Sequence, residues 1–254
     1  MKLHYRIKGE GEPVILLHGL FGSLDNLGSL ARALSETYEV ISVDMRNHGR
    51  SPHCLSMKYD ELAADVIELM DALLIKDAYL FGHSMGGKTA MQVALNYPGR
   101  VKKLCVADIA PVAYSHHHKE ILEGMHHVAE RSPDSRRDVI ELLRPFENEE
   151  AILTFIATNW RKDKTGKWGW RLNLEAITHD HMSIMAALSG KPYEGPVMFI
   201  RGGNSHYLLP EYRDEILKLF PHAIVRTIEG TGHWLHAEKP DMFARIVKRF
   251  LTLA

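Results

Sequence analysis

The sequence predicts an α/β protein with a mostly parallel central sheet, helices on both faces, and a helical segment inserted before the last two strands. Three observations carry this. Short apolar runs alternate with helical patterns of about ten to fifteen residues, the rhythm of βαβ units. Clusters of Gly, Ser, Asp and His follow the ends of those runs. The alternation stops at Ala110-Pro111 and resumes at Pro196.

Leu3 to Lys8 has strand period, and Gly9-Glu-Gly-Glu-Pro13 is a turn. Val14 to Leu17 is a continuous apolar run ending at His18-Gly19, as expected of a strand buried on both faces. Asp25 to Glu36 carries helical spacing through Leu27, Leu30, Ala31 and Leu34. Tyr38 to Val43 reads as strand, followed by the polar loop Asp44 to Ser51. Asp60 to Leu74 is an amphipathic helix. A strand at 78–82, a helix at 85–97 and a strand from Val101 to Ile109 follow. Val112 to Glu194 reads as helical, with Lys167 to Leu172 the one stretch that could be extended. Pro196 to Ile200 is a strand, Pro210 to Leu219 a helix, Ala223 to Ile228 a strand and Pro240 to Leu251 a closing helix. The domain organisation expected is a core of residues 1–111 and 195–254 with a lid of residues 112–194. The lid should sit over the carboxyl ends of the strands, where open sheets bind ligands.

Composition narrows the function. The 254 residues carry a formal net charge of −1 with both signs scattered, which gives no footprint for nucleic acid or an anionic membrane. No stretch reads as a signal peptide or a membrane span. Two cysteines, Cys54 and Cys105, make no disulfide framework, and a reducing cytoplasm is the expected location. Cys105 falls in an apolar strand, as a core residue would.

Gly82-His-Ser-Met-Gly86 is a G-x-S-x-G sequence between an apolar strand and a helix. That arrangement puts a serine on a sharp turn with its oxygen exposed. Alone the pattern is weak; its context decides. His18-Gly19, Asp44, Ser84, Asp108, Gly202 to Ser205 and Gly230-Thr-Gly-His233 all fall at carboxyl ends of predicted strands. A serine hydroxyl needs an adjacent base, and His233 can supply an imidazole.

With these motifs the chain resembles the α/β-hydrolase superfamily along its whole length. The matches are His18-Gly19, Asp44-x-Arg46-x-x-Gly49-x-Ser51, Gly82 to Gly86, and Gly230-x-Gly-His233 with Glu238 and Pro240 behind it. More narrowly, His18 to Asn26, Asp44 to Gly49 and Gly232 to Pro240 are similar to the bacterial YbfF-type esterases. The resemblance implies an α/β-hydrolase fold and hydrolysis of small acyl esters and acyl-CoA thioesters.

One position departs from the common pattern. Many superfamily members carry the acid of the triad three residues beyond the glycine ending the penultimate strand, where this chain has Ser205. A histidine without a carboxylate loses its tautomer and orientation. The resemblance to YbfF-type esterases, which pair an Asp after the preceding strand with a Ser here, assigns Asp108 as the acid and Ser205 as an auxiliary hydrogen-bonding residue. The oxyanion needs two fixed donors; the motif positions point to the N–H groups of Met85 and Leu20. The expected site is therefore Ser84, His233, Asp108 and Ser205 with Leu20 and Met85, without metal or organic cofactor.

Other residues have plainer expected roles. His18 and His83 flank the site as scaffold, and Asp44 with Arg46 makes a structural ion pair or turn. His116-His117-His118, His126-His127, His179 and His181 invite a metal reading, but neighbouring helical positions point apart, so a solvated face is expected. Met125, Met182 and Met185 are expected to pack the lid or line an acyl tunnel, and Trp160, Trp168 and Trp170 to wall the pocket. The functional expectation is a serine esterase acting on an uncharged, short to medium acyl ester or thioester. A carbon–carbon bond hydrolase using the same serine and histidine, and a non-catalytic ligand receptor, stay open as alternatives. A dehalogenase or epoxide hydrolase would carry Asp in place of Ser84.

Overall fold

A computed structural model describes residues 1–115 and 118–252. The chain begins with β1 (His4–Lys8) and β2 (Pro13–Leu17), followed by α1 (Gly28–Leu34), β3 (Glu39–Asp44) and α2 (Tyr59–Ala72). Next come β4 (Ala78–His83), α3 (Met85–Asn96) and β5 (Val101–Ala107). Between β5 and β8 lie α4 (Lys119–Arg131), α5 (Arg136–Leu143), α6 (Glu150–Ala157), β6 (Trp160–Lys162), β7 (Trp168–Trp170), α7 (Leu174–His179) and α8 (His181–Met185). The chain closes with β8 (Val197–Gly202), α9 (Arg213–Leu219), β9 (Ala223–Ile228), α10 (Leu235–Glu238) and α11 (Pro240–Thr252).

Seven strands form one sheet in the order β1-β3-β2-β4-β5-β8-β9. Only β1 runs antiparallel, pairing His4 to Lys8 against Asp44 to Val40 at the edge. The continuous apolar runs follow from burial on both faces: in β2, Ile15 and Leu17 enter one hydrophobic cluster while Val14 and Leu16 enter the other. The chain steps outward from β2 to β3, then crosses back to β4 on the other side of β2. That reversal opens a crevice between the carboxyl ends of β2 and β4, the usual ligand position in such sheets. Two glycines close it tightly. A Cβ on Gly82 would lie 2.1 Å from the Gly86 carbonyl oxygen, and one on Gly86 would lie 2.3 Å from that of Leu17.

Three local features differ from the sequence reading. β5 stops at Ala107 because Asp108 turns to φ +52°, a left-handed conformation that ends pairing. The insertion is not wholly helical: β7 falls within Lys167 to Leu172, the stretch that could be extended, and pairs antiparallel with an unexpected β6, with Trp160 opposite Trp170 and Lys162 opposite Trp168. Its turn is built by Gly166 at φ +88° and by the Asp163 carboxylate, which accepts the amides of Thr165 and Lys167. Apolar residues at period two make this a hairpin, where helical content on either side masked the pattern. Finally, of the ion pair or turn expected of Asp44 and Arg46, the turn forms and the pair does not. Asp44 accepts the amides of Leu24 (2.8 Å) and Arg50 (2.9 Å), making the turn. Arg46 instead reaches α2, 2.6 Å from the buried Asp65 and 2.5 Å from Glu61.

Removing one partner of a buried ion pair strands the other charge, at about 3–5 kcal/mol. Arg46→Ala is expected to lower unfolding free energy by about 3 kcal/mol in urea titrations, and Arg46→Met/Asp65→Leu to recover much of it. A loss below about 0.5 kcal/mol for Arg46→Ala would contradict this role.

Candidate active site

Four adjacent strands, β4, β5, β8 and β9, deliver the polar residues, because parallel neighbours end on the same edge. Ser84 follows β4 and sits at φ 53°, ψ −120°, a strained conformation for a non-glycine residue. Its amide is held by the Ala107 carbonyl at 3.0 Å. Asp108 follows β5 and is fully buried. Its Oδ1 accepts the Gly202 amide at the end of β8 (2.9 Å). Its Oδ2 accepts both the Ser205 hydroxyl and the His233 Nδ1–H, the latter at 2.8 Å. His233 follows β9, where the loop can pass close to β8 because Gly202 has no side chain: a Cβ there would lie 2.1 Å from the Gly232 carbonyl oxygen.

The geometry thus brings Asp108, Ser205 and His233 into direct contact. With Nδ1–H committed to Asp108, the His233 Nε2 lone pair is left to accept a proton. Ser84 Oγ makes no hydrogen bond to His233 here; catalytic contacts of this kind are often long before substrate binds. The two residues are tied indirectly, since the His83 Nε2–H donates to the His233 carbonyl at 2.9 Å and the two rings lie 4.7 Å apart. A Cβ on Gly19 would come within 3.2 Å of Ser84 Cβ, so the loop following β2 delivers Leu20 beside the serine. Leu20 and Met85 both border the same narrow cavity as Ser84. Met85 is the first residue of α3, where amides lack intrahelical acceptors and the helix dipole favours negative charge.

His18 and His48 brace the loop that carries Leu20. His18 Nδ1–H donates to the Gly19 carbonyl and its Nε2 accepts the Met45 amide. His48 Nδ1–H donates to the Arg46 carbonyl while its Nε2 accepts the Phe21 amide (3.2 Å). Phe21 is at φ 60°, and its carbonyl takes the Asn159 amide from the insertion.

Several residues in the cavity were not read from the sequence. The Tyr207 ring stacks on His233, centroids 4.0 Å apart and planes 28° apart, and its amide donates to Ser205 Oγ. Tyr114 donates its hydroxyl to the Tyr207 carbonyl and accepts the Ala110 amide. Lys88, one turn beyond Ser84 on α3, is almost fully buried. Its ammonium donates to the Val112 carbonyl (2.8 Å) and the Ala186 carbonyl (2.6 Å), joining both roots of the insertion to the helix that carries Ser84. Burial pushes its pKa down to about 7. Nothing in a helix reading distinguishes a buried lysine from the exposed kind; only the positions of Val112 and Ala186 in space reveal it.

Of the histidine tract, His116 and His117 lie outside the described residues. His118 borders the cavity, 3.3 Å from the Tyr207 hydroxyl. Among the described residues no three His, Cys, Asp or Glu side chains are grouped as a metal site needs. Met185 borders the cavity, Met125 is buried in the insertion, and Met182 is exposed. Contrary to expectation, Trp160, Trp168 and Trp170 do not wall this cavity and line a separate surface cleft. Cys105 is buried in β5, as expected, and Cys54 and Cys105 are unpaired.

Comparison with known proteins agrees with this architecture. The family model for the alpha/beta hydrolase fold matches residues 12–146. The Escherichia coli (strain K12) protein named esterase YbfF is 39% identical over 99% of this chain and all of its own length. The Mus musculus protein named sn-1-specific diacylglycerol lipase ABHD11 is 38% identical over 94% of this chain and 80% of its own. A solved structure titled marine microorganism esterase superposes with a TM-score of 0.94 at 36% identity, covering 98% of this chain and 99% of that one. The chain belongs to the α/β-hydrolase family. Within it, the chain is a serine hydrolase similar to the YbfF-type esterases. No helix among the described residues is long and apolar enough to cross a membrane.

The buried histidines set a pH dependence. Burial, ahead of any other cause, lowers His18 and His83, pushes His236 down to about 4 and His48 to about 3. The unfolded chain, with histidines near 6.5, therefore binds more protons than the folded one below that pH. Stability is full above pH 6.5 and lost as pH falls towards 4, at about 1.4 kcal/mol per unit for each shifted histidine. Urea midpoints measured from pH 7.5 to 4 should fall steadily below 6.5. A flat profile would contradict neutral burial.

Proposed function

We propose that the protein is a serine esterase in which Ser84 attacks the substrate carbonyl. His233 Nε2 takes the Ser84 proton as the bond to the acyl carbon forms. The N–H groups of Leu20 and Met85 hold the oxyanion. As the tetrahedral species collapses, the carbon–oxygen or carbon–sulfur bond to the leaving group breaks, and His233 returns the proton to the departing alcohol or thiol. Water, deprotonated by the same histidine, then attacks the acyl-serine and frees the acid and Ser84.

The observation that supports this most is the 2.8 Å bond from His233 Nδ1 to a fully buried Asp108 carboxylate. It fixes the tautomer a general base requires and stabilises the imidazolium formed during attack. Ser205 shares the same oxygen and holds it in place. Residues 112–194 act as a lid, rooted by Lys88, over a cavity walled by Leu20, Met85, Ile109, Ile184 and Met185. That apolar lining favours an uncharged acyl chain of small to medium length, as an ester or a thioester. The relatives named esterase and lipase support the ester reading. Unpaired Cys54 and Cys105 favour a reducing cytoplasm.

A fluorophosphonate probe is expected to label the wild type and not Ser84→Ala; an unlabelled, folded wild type would refute the esterase and favour a binding protein. Asp108→Asn is expected to lower kcat about 10⁴-fold towards p-nitrophenyl esters, with little change in KM. Ser205→Ala removes one hydrogen bond to a charged group, about 1.5–3 kcal/mol, and should cost about 10- to 100-fold. Near-full turnover by folded Asp108→Asn would remove Asp108 from the mechanism.

A further inference from the structure

A second cavity, larger than the one beside Ser84, lies elsewhere on the molecule. A cleft of about 800 Å³ lies between the β6–β7 hairpin, the end of α4 and Arg50 of the loop after β3. Six cations line it: Arg50, Arg161, Lys162, Lys164, Lys167 and Arg171. The one carboxylate there, Asp163, is occupied with the amides of its own turn. Among the described residues, none of the six cations has a carboxylate partner within ion-pair distance. This net charge of +5 is concentrated in a chain whose total is −1. Burial, and after it the charge of Arg161, lowers the pKa of Arg171. Like charges that outnumber the carboxylates around them repel one another, so the arrangement costs stability that a bound anion would return.

The cleft is open for a second reason. Gly169 stands opposite Arg161 across the hairpin, and a Cβ there would meet no atom within 4 Å. Neither packing nor a positive φ requires glycine at 169. Its absent side chain leaves open space on the hairpin face it shares with Arg161, and the glycine lines the cleft. The volume is within that of small-molecule pockets, about 300–1,000 Å³. Arginine forks match phosphate oxygens in pairs, and lysines add point charges.

We propose that this cleft binds a small molecule carrying two or more phosphate groups. The inference stands apart from the chemistry of Ser84. Asn159, next to Trp160, donates to the Phe21 carbonyl at 2.7 Å, so occupancy of the cleft sits one residue from the loop that carries Leu20.

Calorimetric titration of the full chain with pyrophosphate tests it. At low ionic strength the wild type should bind, with affinity falling as salt rises. The exposed double variant Arg161→Gln/Lys167→Gln should bind at least tenfold more weakly, and so should the cleft-filling Gly169→Leu. Both should hydrolyse a short p-nitrophenyl ester within twofold of wild type, which shows folding. Absence of pyrophosphate binding by the wild type would overturn the proposal. So would undiminished binding by the folded variants, sulfate binding as tightly as pyrophosphate, or capture by phosphatidylserine vesicles without pyrophosphate binding.

Discussion

A single buried carboxylate holds together the half of the site built on β5, β8 and β9. Asp108 accepts the Gly202 amide, the Ser205 hydroxyl and the His233 imidazole, so its charge is met by donors from three places in the chain. A carboxylate with no exposure is tolerable only when its oxygens are satisfied in this way. The left-handed turn at Asp108 is what aims it across the sheet edge towards β8 and β9, in place of continuing along β5. Moving that carboxylate would release the histidine, the loop after β8 and the stacked Tyr207 together.

The other half is built from neutral imidazoles and backbone. His18 and His48 each donate through Nδ1 and accept through Nε2, fixing the loops after β2 and β3 around the turn that carries Leu20. Because burial keeps them uncharged, they position backbone amides without placing a competing positive charge beside Ser84. Lys88 works from the opposite side, holding the two roots of the insertion against the same helix that presents the serine. Rigid placement of this kind is what lets amides stabilise a developing oxyanion without reorganising.

Much of this was legible in the chain because the relevant signals are local. The order of strands and helices follows from apolar periodicity, and the serine turn from two glycines that no other residue could replace between β4 and α3. The lack of a carboxylate at Ser205 is readable too, and leaves Asp108 as the acid expected at that edge of the sheet. What stayed hidden depends on contacts distant in sequence. The partners of Arg46 lie on α2, and Lys88 is defined by two carbonyls from either end of an insertion. Trp160, Trp168 and Trp170 read as pocket walls because they are aromatic and clustered; their hairpin turns them to another cleft. Short strands inside helical surroundings carry too few residues to establish a period.

The central claim is that Asp108, and no other group, orients His233. Proton magnetic resonance of the free protein tests it most directly. A strongly deshielded imidazole N–H resonance should appear in the wild type, persist in Ser84→Ala, and vanish in folded Asp108→Ala. Its persistence in Asp108→Ala would show that another acceptor holds the histidine, and the account of the site would be contradicted.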